Sequence, residues 1–236
     1  SELLNAFISA GVDGIIVSST MTTKDGSIFK KAIDKNIALV MFDRIFNEAG
    51  ILTVEGDDFR GGFMATEHLI HQGCKKIVHL SGSLTSRIYQ ERLRGYKTAL
   101  EQYNMPFDDN QLIINPINPD DGIEAIRQWW SQEEKPDGLF CANDVSAMAI
   151  MQYLKSLGVN IPHDIAIVGY SNEPSTAIIS PSLTTIDQMA YPMGKVAMEK
   201  LYSLLSNTNL IKDERVVLPV QLIVRESSEY LRIKDS

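Results

Sequence analysis

Short apolar runs alternate with amphipathic segments along almost the whole chain. Apolar runs bounded by glycine or polar residues predict buried strands, and apolar residues spaced three and four positions apart predict helices. The predicted strands are residues 14–17, 36–42, 52–55, 75–80, 112–114, 138–141, 165–168, 183–186 and 216–224, the last as one strand or two. The predicted helices are residues 1–10, 24–35, 59–72, 86–103, 121–132, 145–157 and 192–205.

This alternation predicts an α/β fold, with parallel sheets that carry helices on both faces. The strands are too many for one compact sheet, so we expect two lobes, with the change of lobe near residues 81–83. No low-complexity linker separates the lobes, which favours short hinge crossings between them. The chain opens on a helix rather than a strand, and we therefore expect it to begin part-way through a longer protein.

Polar side chains follow three successive predicted strands in the segment 140–188. These strand ends carry Asn143 and Asp144, then Ser171 and Asn172, then Asp187 and Gln188. In open parallel sheets, ligands bind beyond the carboxyl ends of the strands. The segment therefore predicts one wall of a polar binding cleft, and it contains no obvious catalytic group.

Composition and charge restrict the possible partners. Hydrophobic residues make up 44% of the chain and charged residues 22%, as in an ordinary globular protein. The formal charge of −8 argues against contact with a nucleic-acid backbone across the general surface. No spanning apolar run and no signal peptide are visible, and Cys74 and Cys141 are predicted to be free thiols. These features together favour a cytoplasmic location and no membrane contact.

Patterns that would indicate an enzyme are missing. The chain has no glycine-rich phosphate loop and no serine elbow, and no carboxylates form a recognisable acid–base pair. His68 and His71 have a spacing that can hold a metal, but no other ligand type accompanies them, so a solvated or capping role is favoured. We therefore predict no catalysis, no cofactor and no metal.

Three further features leave two interpretations each. Of the arginines at 87, 92 and 94, Arg92 is suited either to a ligand or to a surface ion pair with Glu91 or another nearby carboxylate. Residues 61–62, Gly-Gly within a helix, indicate close packing or close approach of a ligand. The helix 145–157 is apolar on nearly every side, so one face should pack on the sheet and the other on a neighbouring helix or a second subunit.

Several segments together resemble the effector-binding core of the LacI/GalR family of transcriptional regulators. The resemblance rests on FCANDVSAMAI at 140–150, VNIPHDIAIVGYSN at 159–172, SPSLTTIDQMAYPMG at 180–194 and VLPVQLIVRESS at 217–228. The upstream segments VMFDR, DDFRGGFMATEHLIHQG, KKIVHLSG and ERLRGY also fit the family. The combination and order of these motifs are specific, and they cover essentially the whole chain.

The resemblance implies a type I periplasmic-binding-protein-like fold with three hinge crossings and a small ligand between two lobes. It implies a first lobe of residues 1–83 and about 189–213, and a second of residues 84–188 and about 214–236. The first strand, helix and second strand of lobe one would be missing, as would the DNA-binding helix-turn-helix. The implied function is a homodimeric sensor of a sugar or sugar derivative that reaches operator DNA only through that missing segment. A periplasmic sugar-binding protein is the alternative.

Carried over residue by residue, the resemblance implies the ligand-binding candidates Arg92, Asn143, Ser171 and Gln188, the last at a hinge crossing. Asn172, next to Ser171, and Asp57, at the cleft end of a first-lobe strand, are further candidates. Ser171 departs from the family, which usually has an aspartate there that accepts hydrogen bonds from ligand hydroxyls. A serine cannot hold two vicinal hydroxyls as a carboxylate can, although Asn172 beside it can compensate. The departure disfavours a simple neutral hexose and leaves room for an anionic or modified sugar.

Overall fold

The chain folds into two α/β units, each built around its own sheet. The structure, a computed structural model, describes residues 2–20, 23, 26–45, 51–206 and 214–229. The first unit comprises residues 1–57 and 189–219, and the second comprises residues 58–188 and 220–236. Residues 1, 24, 25, 207–213 and 230–236, which the sequence assigned to helices or lobes, lie outside the described residues.

The first unit contains a four-stranded parallel sheet in the order β1-β2-β3-β9. Helices α1 and α2 bury Leu4, Phe29 and Ala32 on one face, and α7 buries Met193, Ala197 and Leu201 against the other. The elements are α1 (Glu2–Ala10), β1 (Gly14–Val17), α2 (Ser27–Asp34), β2 (Ala38–Phe42), β3 (Leu52–Gly56), α7 (Ala190–Ser206) and β9 (Arg215–Leu218).

The second unit contains a six-stranded sheet in the order β10-β8-β7-β6-β4-β5, in which β10 alone is antiparallel. Helices α3 and α4 pack on one face, and α5 and α6 pack on the other. The elements are α3 (Asp58–His71), β4 (Ile77–Ser81), α4 (Arg87–Gln102), β5 (Leu112–Ile114), α5 (Pro119–Trp130), β6 (Gly138–Cys141), α6 (Asp144–Ser156), β7 (Ala166–Tyr170), β8 (Thr184–Asp187) and β10 (Gln221–Ile223). The predicted α/β class with parallel sheets is therefore confirmed.

The division into units differs from the predicted lobes at two places. The predicted change of lobe near residues 81–83 falls at residue 57 instead, so α3 and β4 belong to the second unit. The reason is pairing, because β4 lies between β5 and β6 in the second sheet. Strand β9, which the sequence assigned to lobe two, pairs with β3 in the first sheet. The predicted terminal strand is thus two strands, β9 and β10, one in each unit.

Two glycines allow α3 and α4 to pack backbone against backbone. A Cβ atom added to Gly62 would overlap the carbonyl oxygen of Arg92, and one added to Gly95 would overlap the carbonyl oxygen of Phe59. Gly61 similarly lies against the ring of Tyr170. The packing interpretation of the glycine pair is therefore confirmed.

His68 and His71 on α3 each have a hydrogen-bond partner within the second unit. His68 is 9% exposed, and its Nε2 lies 2.7 Å from the Ser228 hydroxyl, so the predicted solvated or capping role does not describe it. His71 is exposed, and its Nε2 lies 3.0 Å from the Tyr103 hydroxyl. Within the described ranges, no three His, Cys, Asp or Glu side chains are grouped as a metal site.

His79 on β4 is fully buried between two aromatic rings. Its ring stacks on Phe140 at 4.5 Å and on Tyr96 at 5.1 Å, and its Nδ1 lies 3.0 Å from the Phe140 carbonyl oxygen. Burial lowers the pKa of His79 to about 3, against the opposing effect of that backbone hydrogen bond. The imidazole is therefore neutral in the folded chain at neutral and mildly acidic pH.

This burial predicts acid sensitivity. The unfolded chain takes up a proton on His79 near pH 6.5, whereas the folded chain does so only near pH 3, so stability falls as the pH drops through that window. At pH 5 we expect a loss of about 2 kcal/mol from this residue. His79→Phe should reduce the difference in unfolding free energy between pH 8 and pH 5 by about that amount in urea titrations. An unchanged difference would contradict the prediction.

Neither Cys74 nor Cys141 forms a disulfide, as the sequence predicts, and both side chains are buried. Burial raises the pKa of the Cys141 thiol to about 12, so it is protonated at neutral pH and unreactive. In the part of the chain that the structure describes, no helix has both the length and the apolar character that spanning a bilayer requires.

Candidate functional site

Five of the six predicted ligand-binding residues gather at one edge of the second sheet. Strands β4, β6, β7 and β8 are parallel neighbours, so their carboxyl ends meet at this edge, which we call the ligand edge. Asn143 follows β6, Ser171 and Asn172 follow β7, and Gln188 follows β8. Arg92 reaches the same edge from α4. The sixth residue, Asp57, belongs to the first unit, where it directly follows β3.

The Arg92 side chain crosses the ligand edge in a fixed position. Its Nε donates to Asp58 at 2.8 Å, and its Nη1 donates to the carbonyl oxygen of Ala142 at 2.8 Å. The guanidinium carbon lies 3.5 Å above the centre of the Tyr170 ring. These contacts use two of the five donors of a guanidinium and hold the group in place.

The charge of Arg92 is balanced inside the fold. The side chain is 4% exposed and that of Asp58 is 10% exposed, so the ion pair is almost fully buried. Burial acts to lower the pKa of Arg92, but the nearby Asp58 outweighs it and the pKa is raised. The surface pair with Glu91 that the sequence left open belongs instead to Arg94, at 2.5 Å. Arg92 is therefore a buried, permanently charged and already paired donor.

Asn143 caps the helix that begins at the ligand edge. Its side-chain oxygen accepts from the Ser146 backbone at 2.9 Å, and its amide nitrogen donates to the Ile117 carbonyl at 2.8 Å. The oxygen and the nitrogen of the Asn143 amide therefore both have backbone partners, which fix the orientation of the side chain at the start of α6.

Asp144, next in sequence, joins α6 to the ends of β7 and β8. One carboxylate oxygen accepts from the Thr185 hydroxyl at 2.6 Å, and the other accepts from the Glu173 backbone at 2.9 Å. Burial raises the pKa of Asp144, while the Thr185 hydrogen bond acts in the opposite direction. The sequence drew attention to Asp144 as a polar strand end, but its contacts with β8 and with the loop after β7 appear only in three dimensions.

Ser171 and Asn172 adopt backbone conformations that are uncommon for residues other than glycine. The φ angle is 127° at Ser171 and 55° at Asn172. The Ser171 backbone N–H still donates to the Ile186 carbonyl at 2.8 Å, which holds the bend against β8. Strain of this kind persists where the surroundings enforce it, and it is common at binding sites.

The strain at Ser171 can be measured with a matched pair of variants. Ser171→Ala removes the hydroxyl but keeps Cβ, whereas Ser171→Gly also removes Cβ and so relieves the conflict with the positive φ. We expect the free energy of unfolding of the glycine variant to exceed that of the alanine variant by about 1 kcal/mol. This value already includes the loss caused by the greater conformational entropy of glycine in the unfolded chain. Urea titrations that rank alanine above glycine would contradict this.

Asn172 is held from both sides by charged groups. Arg225 donates through Nη2 to the Asn172 side-chain oxygen at 2.8 Å, and the Asn172 amide donates to Asp187 at 3.0 Å. Arg225 is itself fixed through Nη1 by Thr176 at 3.0 Å and by the Leu183 carbonyl at 2.8 Å. The sequence identified Asp187 as a polar strand end of the predicted cleft wall but not as a ligand-binding candidate, and it did not identify Arg225, which lies far from Asn172 along the chain.

The chain is similar in sequence to a protein family and to known transcriptional regulators. A profile described as "Periplasmic binding protein-like domain" matches residues 66–228. The HTH-type transcriptional repressor PurR of Haemophilus influenzae (strain PittEE) is 31% identical over 222 residues, which cover 92% of this chain and 64% of that protein. Catabolite control protein A of Priestia megaterium is 30% identical over 230 residues, which cover 97% of this chain and 68% of that protein.

A similar structure has been solved with a sugar bound. A LacI family transcriptional regulator from Enterococcus faecium with bound ribose has a TM-score of 0.86 and 27% sequence identity, covering 97% of this chain and 83% of that chain. The chain spans about 64% of the length of the PurR repressor. These similar proteins are transcriptional regulators rather than enzymes.

Proposed function

The chain belongs to the LacI/GalR family of transcriptional regulators, and we propose that it is the effector-sensing and dimerisation core of such a regulator. The effector is a sugar or sugar derivative. Its binding changes the operator affinity of a DNA-binding segment in the whole protein. Because such coupling is reciprocal, operator DNA changes the affinity for the effector by the same factor.

The arrangement of Arg92 at the ligand edge carries this proposal. A paired and immobile guanidinium suits the recognition of hydroxyl or carboxylate groups rather than catalysis. Around it, Asn143, Ser171 and Asn172 offer polar groups that local structure holds in place. The Thr185 hydroxyl lies beside the Asp144 carboxylate at this edge, but both side chains are buried and their hydrogen bond joins α6 to β8, so binding without turnover is the function that the chemistry favours.

A thermal-shift screen tests the effector role directly. The chain is heated with ribose, glucose or cellobiose, with phosphate esters of ribose and glucose, and with acetate as a charged control. A ligand that binds only the folded state raises the melting temperature, and the rise grows with the logarithm of its concentration above Kd. We expect at least one sugar or sugar phosphate to stabilise the chain. No shift with any of them would contradict a sugar-sensing role, and a fall in sugar concentration over prolonged incubation would contradict binding without turnover.

Arg92→Lys serves as the binding probe at this residue. Lysine keeps the positive charge beside Asp58 but lacks the planar set of guanidinium donors. A change in ligand binding can therefore be assigned to the lost donors rather than to an unbalanced Asp58 charge. We expect a weaker thermal shift with the stabilising ligand for Arg92→Lys and an unchanged shift for Arg94→Lys on the exposed face of the same helix.

The homodimer is proposed from an exposed apolar surface on the second unit. Val145 at the start of α6 is 44% exposed, and Ile178, which follows a short helical turn (Pro174–Ala177), is 85% exposed. The two segments are adjacent, because Asp144 accepts a hydrogen bond from the Glu173 backbone. An exposed apolar surface of this kind is typical of an interface between subunits.

The dimer is tested by molar mass in solution. Ile178→Asp places a charge in the centre of the proposed interface and should convert dimers to monomers in size-exclusion chromatography with light scattering. Ile114→Asp, at an exposed site on edge strand β5, is the matched control and should leave the molar mass unchanged. A wild-type chain that is monomeric at high concentration would contradict the proposal.

A further inference from the structure

We propose that Asp58 determines the charge selectivity of the ligand edge by acting through Arg92. The Asp58 carboxylate cancels the guanidinium charge, so the edge contains an arginine without the attraction for anions that an arginine usually provides. This inference rests on the proposed effector role, since it concerns the selectivity of the same site. A buried ion pair can often be replaced by apolar side chains without loss of stability, so its presence beside a binding edge points to a functional reason.

Asp58 and Arg92 make their contact away from water. The Arg92 Nε donates to Asp58 Oδ1 at 2.8 Å, and the Asp58 and Arg92 side chains are only 10% and 4% exposed. Opposite charges at this separation interact strongly in a protein interior, where water and salt screen them much less than at a surface. A ligand at the edge therefore experiences the combined field of a neutral pair rather than the field of an isolated guanidinium.

The packing of α3 on α4 fixes where the two charges lie. Asp58 is the first residue of α3, and Arg92 lies in α4. A Cβ atom added to Gly62 on α3 would overlap the Arg92 carbonyl oxygen, and one added to Gly95 on α4 would overlap the carbonyl oxygen of Phe59, the residue after Asp58. The two backbones thus touch beside the ion pair on both helices. The pair is therefore a fixed part of the fold, and its charge cancellation persists when a ligand arrives.

The other neighbours of the guanidinium also present negative potential to it. The Ala142 carbonyl oxygen accepts from Nη1 at 2.8 Å, and the centres of the Tyr170 and Tyr89 rings lie 3.5 Å and 5.6 Å from the guanidinium carbon. An arginine that binds a phosphate or carboxylate group does so with a positive charge that the ligand neutralises. At Arg92 the fold itself has already supplied the neutralising charge, and Asp58 is the ionised group that supplies it.

Asp58→Asn tests this role because it removes the charge and keeps the shape of the side chain. Asparagine retains an oxygen that can accept from the Arg92 Nε, so the guanidinium stays in place while its charge becomes uncompensated. An uncompensated charge in a buried site attracts anions strongly. We therefore expect inorganic phosphate, added at fixed ionic strength, to raise the melting temperature of Asp58→Asn by about 3 °C more than that of the wild-type chain.

Further variants assign the phosphate effect to Arg92. Asp109→Asn also removes one negative charge, from an exposed site before the amino end of β5 and so at the opposite end of the sheet, and it should respond to phosphate as the wild-type chain does. The double variant of Asp58→Asn with Arg92→Gln has neither charge and should lose the phosphate effect. If Asp58→Asn does not fold, Asp58→Ser makes the same change of charge and leaves room for a water molecule beside the guanidinium.

The same variants should change the selectivity among ligands. Affinities for ribose and glucose and for their phosphate esters are measured by calorimetry, and the ratio of the ester affinity to that of the parent sugar is compared between chains. Incomplete folding reduces both apparent affinities by the same fraction, so a merely structural role of Asp58 would leave this ratio unchanged. We expect the ratio to rise about 10-fold or more for Asp58→Asn and to stay at the wild-type value for Asp109→Asn.

The phosphate comparison does not depend on the identity of the effector. Equal responses of the wild-type chain and Asp58→Asn to phosphate would overturn the inference, and so would a response that survives in the double variant, because the phosphate would then bind away from Arg92. If no sugar or ester binds the wild-type chain, the effector role fails, while the phosphate comparison still decides whether Asp58 cancels the charge of Arg92. The two failures are therefore distinguishable.

Discussion

Replacing Arg92 by alanine is expected to lower the free energy of unfolding of the second unit by about 3–5 kcal/mol. The change leaves the Asp58 carboxylate, which is 10% exposed, without the partner that now lies 2.8 Å away. It also removes the guanidinium from the face of Tyr170 and leaves the Ala142 carbonyl without its donor. An uncompensated buried charge is among the most destabilising single changes in a protein.

The chain offers a convenient readout and a close control for this change. Both tryptophans, Trp129 and Trp130, lie in α5, so tryptophan fluorescence during urea unfolding reports on the second unit. Arg94→Ala removes an arginine from the same helix, but its side chain is 60% exposed, and the expected loss is at most about 1 kcal/mol. Equal stabilities of the two variants would show that the Arg92–Asp58 pair contributes nothing that the surface pair does not.

A double variant separates charge balance from the volume removed. If the uncompensated Asp58 charge dominates, Arg92→Ala and Asp58→Ala together should destabilise less than the sum of the two single changes. Additive losses would point to lost packing instead. Arg92→Ala is consequently a poor probe of ligand recognition, because the loss of stability would obscure any change in ligand affinity.

Replacing Gly95 by alanine is the second change with a large expected effect, a net loss of about 3 kcal/mol. The added methyl group would overlap the Phe59 carbonyl oxygen and the Phe63 backbone nitrogen. Backbone atoms cannot rotate away as a side chain can, so α3 and α4 must separate along their shared face. The gain of about 1 kcal/mol that alanine brings to a helix interior offsets only part of this cost.

Gly194→Ala is the matched control for the glycine prediction. Gly194 also lies inside a helix, α7, but a Cβ atom there would have no neighbour within 4 Å. This change should therefore stabilise the chain by up to about 1 kcal/mol through helix propensity alone. Thermal unfolding followed by circular dichroism compares the two variants, and a Gly95→Ala chain as stable as Gly194→Ala would refute the close-packing argument.

Separating the helices should also affect the ligand edge. Arg92 lies one turn before Gly95 on α4, and its partner Asp58 begins α3. A displacement between the two helices would lengthen the Arg92–Asp58 contact, so Gly95→Ala is expected to weaken effector binding as well as stability. The same face of the unit thus supports both its folding and its proposed recognition chemistry.

The amino-acid sequence alone determined the α/β class, most helices and strands, and the polar strand ends that form the ligand edge. These properties follow from local periodicity, because the spacing of apolar residues depends only on how a helix or strand turns. Asn143, Ser171, Asn172 and Gln188 could be placed at strand ends for this reason.

Only the tertiary structure decided which partners these residues have. Arg92 pairs with Asp58 rather than with Glu91, β4 joins the second sheet, and Asn172 links Arg225 to Asp187. Each of these contacts joins residues that are distant along the chain, and periodicity contains no information about which distant segments become neighbours. Arg92 therefore changed from a residue with two interpretations to one half of a buried ion pair.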